Sequence, residues 1–273
     1  MASGYRLGAV VYHPKVERIW QEFSGWFADQ GLNLAPRYYD SYEAQVEDLL
    51  EGALETAWNT NLAHVRVLDQ TGGTARALAM RDTDRGWRSH LVARADAGIV
   101  DVTDLRGRRV GFGDADSPQA HLMPVHALLS EGIDPARDFH PDRLDRDLGK
   151  HGDTGGAELA QLTRVRTGEL DACVVSSVTL DAVRRLGDAD ELTTVWTSPP
   201  FHHCCFSVLD DSGDEHESFQ RLLFSMDVTD PRLCEPMELE YVNRWVPFDP
   251  DGYRDLIAAV AAGPVVVGHG APD

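Results

Sequence analysis

Gly52-Ala53-Leu54-Glu55-Thr56-Ala57-Trp58 and Gly168-Glu169-Leu170-Asp171-Ala172-Cys173-Val174 are one phrase written twice, 116 positions apart. Each copy follows an amphipathic helical pattern. Each glycine stands where a helix C-terminus adopts the left-handed conformation that a Cβ disfavours. Each copy then enters a short apolar strand that ends in small polar residues, Asn59-Thr60 in the first and Ser176-Ser177 in the second. Two helix–glycine–strand units so far apart predict two α/β lobes of similar plan. Open α/β sheets bind ligands outside the carboxyl ends of their strands, so a ligand cleft between the lobes would collect these four residues.

Outward from the first copy, Tyr5 to Tyr12 reads as a strand. Pro14 opens a helix with Val16, Ile19, Trp20, Phe23 and Phe27 on one face, stopped by Gly31. Leu32 to Tyr39 reads as the next strand, and Asp40 with Glu43 as a capping-box-like start of a helix carrying Val46, Leu49 and Leu50. Leu54 to Trp58 is the third strand, Asn61 to Leu68 a helix, and 74–80 and 89–95 are further strands. This alternation predicts a mostly parallel sheet. Residues 1–98 are assigned to lobe one, 99–197 to lobe two, and 198–273 to a return to lobe one followed by C-terminal helices near 214–226, 235–245 and 251–261.

The chain has 273 residues, enough for two lobes of about 100 residues each. Acidic residues outnumber basic ones by 45 to 25, a formal net charge of −20. That balance speaks against nucleic acid and against anionic membrane surfaces, both of which call for a basic footprint. No apolar run approaches the roughly 20 residues of a membrane-spanning helix, so membrane insertion is not expected. Met1-Ala2-Ser3-Gly4 leads straight into the first strand without the basic start and apolar core of a signal peptide. As written the chain reads as cytoplasmic; a processed form would be periplasmic or extracellular. Cys173, Cys204, Cys205 and Cys234 show neither a disulfide framework nor zinc-type spacing.

In this layout the chain resembles the phosphonate/phosphate/phosphite substrate-binding proteins of ABC transporters, which have the type II periplasmic-binding-protein fold. The resemblance covers nearly the whole chain. It is carried by the first strand with Tyr12 at its end, Trp58-Asn59-Thr60-Asn61-Leu62-Ala63-His64, Val102 to Phe112, Gly168 to Val174, and Thr197-Ser198-Pro199-Pro200. It implies a small polar or anionic ligand held by hydroxyls and by the unpaired amides of helix N-termini, and an ABC permease as partner if the protein is exported. The alternative is a cytoplasmic biosynthetic enzyme on the same fold. Where the family has a Ser/Thr/Gly-rich anion loop, this chain has Asp114-Ala115-Asp116-Ser117-Pro118-Gln119, whose carboxylates would repel an anion unless turned away or neutralised.

Several groups are candidates for the chemistry. Lys150-His151-Gly152-Asp153-Thr154-Gly155-Gly156 precedes a helix, and His151, Asp153 and Thr154 are expected at the ligand, with Ser117, Gln119 and Ser176. A capped helix start is the plainer reading of Asp153 and Thr154. Tyr12 and His13 follow the first strand. Trp58 offers a face for stacking and Asn59 and Thr60 hydrogen bonds, and Asp82 stands in the polar loop Arg81-Asp82-Thr83-Asp84. His121 and His126 read as packed histidines. His202-His203-Cys204-Cys205 is a run of candidate ligands for iron, zinc or copper. Strand alternation would pair only His202 with Cys204, or His203 with Cys205, with His151, Asp153 or His13 completing a site. In an enzyme, Cys204 with His203 would supply the nucleophile.

Overall fold

A computed structural model describes residues 4–187, 191–209, 213–263 and 265–271. Met1-Ala2-Ser3, on which the reading of the amino terminus rests, lies outside them. Along the chain run β1 (Tyr5–Val10), α1 (Lys15–Asp29), β2 (Leu34–Tyr39), α2 (Tyr42–Leu50), β3 (Thr56–Asn59), α3 (Asn61–Gln70), β4 (Arg76–Ala77) and β5 (Ala79–Arg81). They are followed by β6 (Ser89–Arg94), β7 (Arg109–Phe112), α4 (Met123–Ser130), α5 (Pro135–Asp138), β8 (His140–Leu144), α6 (Gly156–Arg166), β9 (Ala172–Ser176), α7 (Ser177–Arg185) and β10 (Leu192–Thr197). The last are β11 (Cys205–Val208), α8 (Asp214–Ser225), α9 (Cys234–Leu239), β12 (Trp245–Pro247), α10 (Arg254–Ala261) and β13 (His269–Ala271).

These elements form two compact units, each with its own sheet. The first comprises the chain as far as Arg85 together with His202–Tyr253; the second comprises Gly86–Phe201 and the chain from Arg254 onward. The first unit's main sheet has the order β2-β1-β3-β11-β4, with β1 parallel to β2 and β3, and β11 antiparallel to β3. In the second unit β8-β7-β9-β6 repeats this plan: β7 is parallel to β8 and β9, and β6 is antiparallel to β9. The repeated phrase precedes β3 in one and β9 in the other, and its glycines are left-handed, with φ 72° at Gly52 and 77° at Gly168.

The repetition extends to the packing. Gly8 and Gly111 occupy the middle strands β1 and β7, opposite Ala57 and Cys173. A Cβ on Gly8 would stand 2.6 Å from Leu54 Cδ1 and 2.9 Å from Gln45 Cγ; one on Gly111 would stand 2.7 Å from Leu170 Cδ1 and 2.9 Å from Gln161 Cδ. Both glutamines are fully buried and donate to strand carbonyls, Gln45 Nε2 to Trp58 O at 2.9 Å and Gln161 Nε2 to Phe112 O at 2.9 Å. A helix thus reaches over a bare strand and bonds backbone groups at the sheet's carboxyl end. Around the first sheet, Val16, Ile19, Trp20, Phe23 and Phe27 of α1 pack on Trp58, Phe206, Phe219 and Trp245; this is the apolar stripe read from the sequence.

Four expectations are corrected. The boundary expected at 98/99 falls at Arg85–Gly86, because β6 pairs with β9 and β10 of the second sheet. The C-terminal helix belongs to the second unit as well, with α10 packed on α4. The helix expected near 235–245 ends at Leu239; Tyr241 turns left-handed at φ 56° and Trp245 joins a two-stranded sheet with β5. At the start of α2 the cap is Ser41, whose Oγ accepts from Ala44 N, in place of Asp40. No helix among the described residues is long and apolar enough to cross a membrane.

Adding a methyl at either bare strand tests the packing. Gly8→Ala and Gly111→Ala are each expected to lower unfolding free energy by about 1–3 kcal/mol, since both force a buried glutamine and leucine aside. Urea denaturation reads this directly; a loss below about 0.5 kcal/mol at both positions contradicts the close approach.

Candidate functional site

In the second unit the carboxyl ends of β7, β8 and β9 lead into polar segments that meet one another. Ser117 caps the π-helical turn Pro118–Leu122, its Oγ accepting from Ala120 N at 3.1 Å. Ser176 caps α7 in the same way through Thr179 N at 3.2 Å. Ahead of α6, His151 is buried and left-handed (φ 51°), an uncommon backbone for a non-glycine residue. Gly152 follows at φ 77°, and any Cβ there would collide with Ser117 Oγ and Gln119 Nε2. The 151–152 backbone therefore lies directly on Ser117 and Gln119, and only glycine fits.

Several carboxylates of this region are hydrogen-bonded by backbone N–H groups. Asp114 Oδ1 accepts from Arg146 N (2.6 Å) and Asp147 N (2.9 Å), and Asp116 Oδ2 accepts from Gly149 N (2.6 Å). Asp145 accepts from Ala115 N, and its carboxylate is held by Arg143 at 2.8 Å. These bonds stitch the segment after β7 to the segment after β8. Thr154 Oγ1 donates to Asp147 at 2.7 Å and accepts from Gly156 N at 3.1 Å, so it caps the approach to α6. Asp153 stands in the same turn, its N–H bonded to Lys150 O.

One residue here was not singled out from the sequence. Glu158, 3% exposed, accepts from Ser176 N at 2.7 Å and Ser176 Oγ at 2.8 Å. A resident carboxylate thus sits at the N-terminus of α7, where unpaired amides favour negative charge. Gln119 also bonds Glu158, while Gln119 Oε1 is buried with no partner. In sequence Glu158 reads as an ordinary first-turn acid of α6; only the fold turns it inward.

In the first unit, several expected contacts are structural. Trp58 is 4% exposed; it packs on Phe206 and Trp245 and donates from Nε1 to Glu240 at 2.9 Å, so its face serves the core. Asn59, fully buried, accepts from Gln45 and donates to Ser207 Oγ. Thr60 caps α3 through Ala63 N. Asp82 holds the chain at Asn243 and Arg244 by accepting their N–H groups. His13 is exposed, its Nδ1 accepting from Lys15 N, and Tyr12 is half-buried beside Lys15. His121 is packed as expected: burial lowers it to about 4, and its Nε2 accepts from Val267 N.

The His202-His203-Cys204-Cys205 run is also arranged differently from the expectation. β11 begins only at Cys205, so strand alternation does not govern the residues before it. The neighbours His203 and Cys204 meet, Nδ1 to Sγ at 3.0 Å. His202 instead faces Asp249, and Cys205 lies against Tyr253, its thiol pushed up to about 12 by burial. The nearby carboxylate is Asp84, and it faces the same Nδ1 at 3.9 Å. A nucleophilic relay needs thiol and carboxylate on opposite ring nitrogens; here they share one, and Cys204 is 3% exposed.

Two sheets of this plan, with polar segments at their strand ends, define a solute-binding protein of the two-lobed α/β class. The chain belongs to the family of ABC-transporter periplasmic substrate-binding proteins for phosphonate, whose model matches residues 10–253. Among solved structures it is similar to PhnD1 from Prochlorococcus marinus in complex with methylphosphonate, at 16% identity and TM-score 0.70, covering 94% of this chain and 97% of that one. XAC2383 from Xanthomonas citri, bound to ATP, gives 18% identity and TM-score 0.73 over 96% and 98%. The aliphatic sulphonate binding protein SsuA from Escherichia coli gives 12% and 0.60 over 98% and 90%.

Glu158 offers a test by pH. Desolvation raises its folded-state pKa above the ordinary glutamate range, outweighing the bonds from Ser176 that lower it. A raised carboxyl contributes stability at low pH that is lost as pH rises through the folded-state value. The stability of Glu158→Gln relative to wild type should therefore improve as pH rises above the ordinary glutamate range. Urea melts at several pH values measure the difference; a constant difference overturns the assignment.

Proposed function

We propose that the protein binds a small tetrahedral oxyanion, a phosphonate or phosphate, at the polar cluster of its second unit. The observation that carries this is the convergence of Ser117, Gln119 and the left-handed His151-Gly152 backbone ahead of α6. Hydroxyl, amide and imidazole groups there suit an anion, and Asp114, Asp116 and Asp145 each accept at least one backbone N–H. Family membership, methylphosphonate in PhnD1 and the sulphonate protein SsuA support the same ligand class. On this reading Ser117 and His151 touch the oxyanion and Glu158 holds the start of α7 in place. Family membership also supports an ABC permease as partner and a place of action outside the cytoplasmic membrane.

Isothermal titration with methylphosphonate, phosphate and an alkanesulfonate is the test. Binding of at least one is expected, and His151→Asn, which keeps a residue tolerant of the left-handed backbone, should weaken it roughly tenfold or more. Unaltered circular dichroism and melting would assign the loss to contact. Failure of all three anions to bind at millimolar concentration overturns the reading.

A further inference from the structure

The first unit holds a cluster that anion binding leaves unused. Asp84 follows β5, and His203-Cys204 lead into β11; the backbone bond from His203 N to Asp84 O, at 3.0 Å, fixes the segments together. One donor atom from each of Asp84, His203 and Cys204 lies within 4.8 Å of the other two, and all three residues are buried. Cys204 Sγ is 3.0 Å, and Asp84 Oδ1 3.9 Å, from the same ring nitrogen, His203 Nδ1. Tetrahedral zinc, with bonds of about 2.0–2.3 Å to nitrogen, oxygen and sulfur, holds its ligand atoms roughly 3.3–3.7 Å apart. The two observed separations straddle that range.

We infer that Asp84, His203 and Cys204 form a site for a borderline-soft divalent cation, with zinc the best match. Carboxylate oxygen, imidazole and thiolate are the donor set such an ion takes. The surroundings also suit it. Arg81 is the one buried Arg or Lys among the described residues, and it serves two buried carboxylates. It holds both oxygens of Asp84, at 2.6 and 2.8 Å, and Glu240 Oε1 at 3.2 Å. Lys15 adds its charge towards Glu240 from a half-buried position. A dication binding to a Cys204 thiolate, with the thiol proton released to solvent, leaves the buried set of Arg81, Asp84, Glu240, Cys204 and metal without net charge. Arg81 holds both oxygens of Asp84, and the backbone N–H groups of Cys204 and Arg81 also bond this carboxylate, so a bound cation would take the place of one of these donors. Bound zinc would tie the segment after β5 to the segment before β11, and the fourth coordination position would fall to water.

The test uses the full chain without a histidine tag, freed of metal by a chelator. Titration with zinc should reach about one ion per chain by elemental analysis and raise the melting temperature. Cobalt in its place should give a thiolate-to-cobalt charge-transfer band. Cys204→Ser should lose the band and the melting response, while Cys205→Ser keeps both. Less than about one-tenth of an ion per chain, no band in wild type, or a band that survives Cys204→Ser overturns the site. If Cys204→Ser does not fold, the same readings on His203→Gln decide in its place.

Discussion

Each sheet depends on a close approach that one glycine permits. Because Gly8 and Gly111 carry no side chain, Gln45 and Gln161 lie across the middle strands and bond strand carbonyls. This contact fixes the height of α2 over the first sheet and of α6 over the second. A buried amide with a satisfied donor is stabilising, whereas a displaced one leaves polar atoms without water or protein partners. The strand ends and helix starts that bear the polar residues follow from this placement.

What the polar residues do then depends on which groups reach them first. In the first unit Asn59 and Thr60 are spent on Gln45, Ser207 and the start of α3. In the second, the carboxylates of Asp114, Asp116 and Asp145 are spent on backbone N–H groups of the neighbouring segment. An acidic loop that looked hostile to an anion is in fact a set of internal hydrogen bonds. Near Gly152 stand the Ser117 hydroxyl, the Gln119 amide and the His151 imidazole, with an Asp116 carboxylate oxygen within 4.8 Å of that imidazole. At the start of α7 the Ser176 N–H and hydroxyl are already taken by the Glu158 carboxyl.

The buried ion pair of the first unit follows a different logic. Arg81 grips Asp84 and Glu240 in a buried cluster. Such a group costs more in desolvation than an apolar replacement would, so packing alone gives it little reason to exist. Its geometric effect is clear: Glu240, drawn to Arg81 and Trp58, lies at the end of α9 and precedes the left-handed Tyr241.

Local periodicity and glycine placement were legible in the sequence because they are properties of short stretches. The α1 stripe, the twin phrase with its left-handed glycines, and the family resemblance all belong here. Gln45 and Gln161 stand at the same 116-residue offset as the phrase itself, a signal present but unread. The tertiary structure alone decided that β6 and α10 join the second unit, since strand pairing and helix docking are non-local. It alone turned Trp58 into core, Glu158 inward, and His203 and Cys204 towards Asp84. Residues 119 positions apart, Asp84 and His203, meet only because β5 and β11 lie side by side in one folded unit. Sequence supplies the side chains; which donor each one meets is set by the packing of segments distant along the chain.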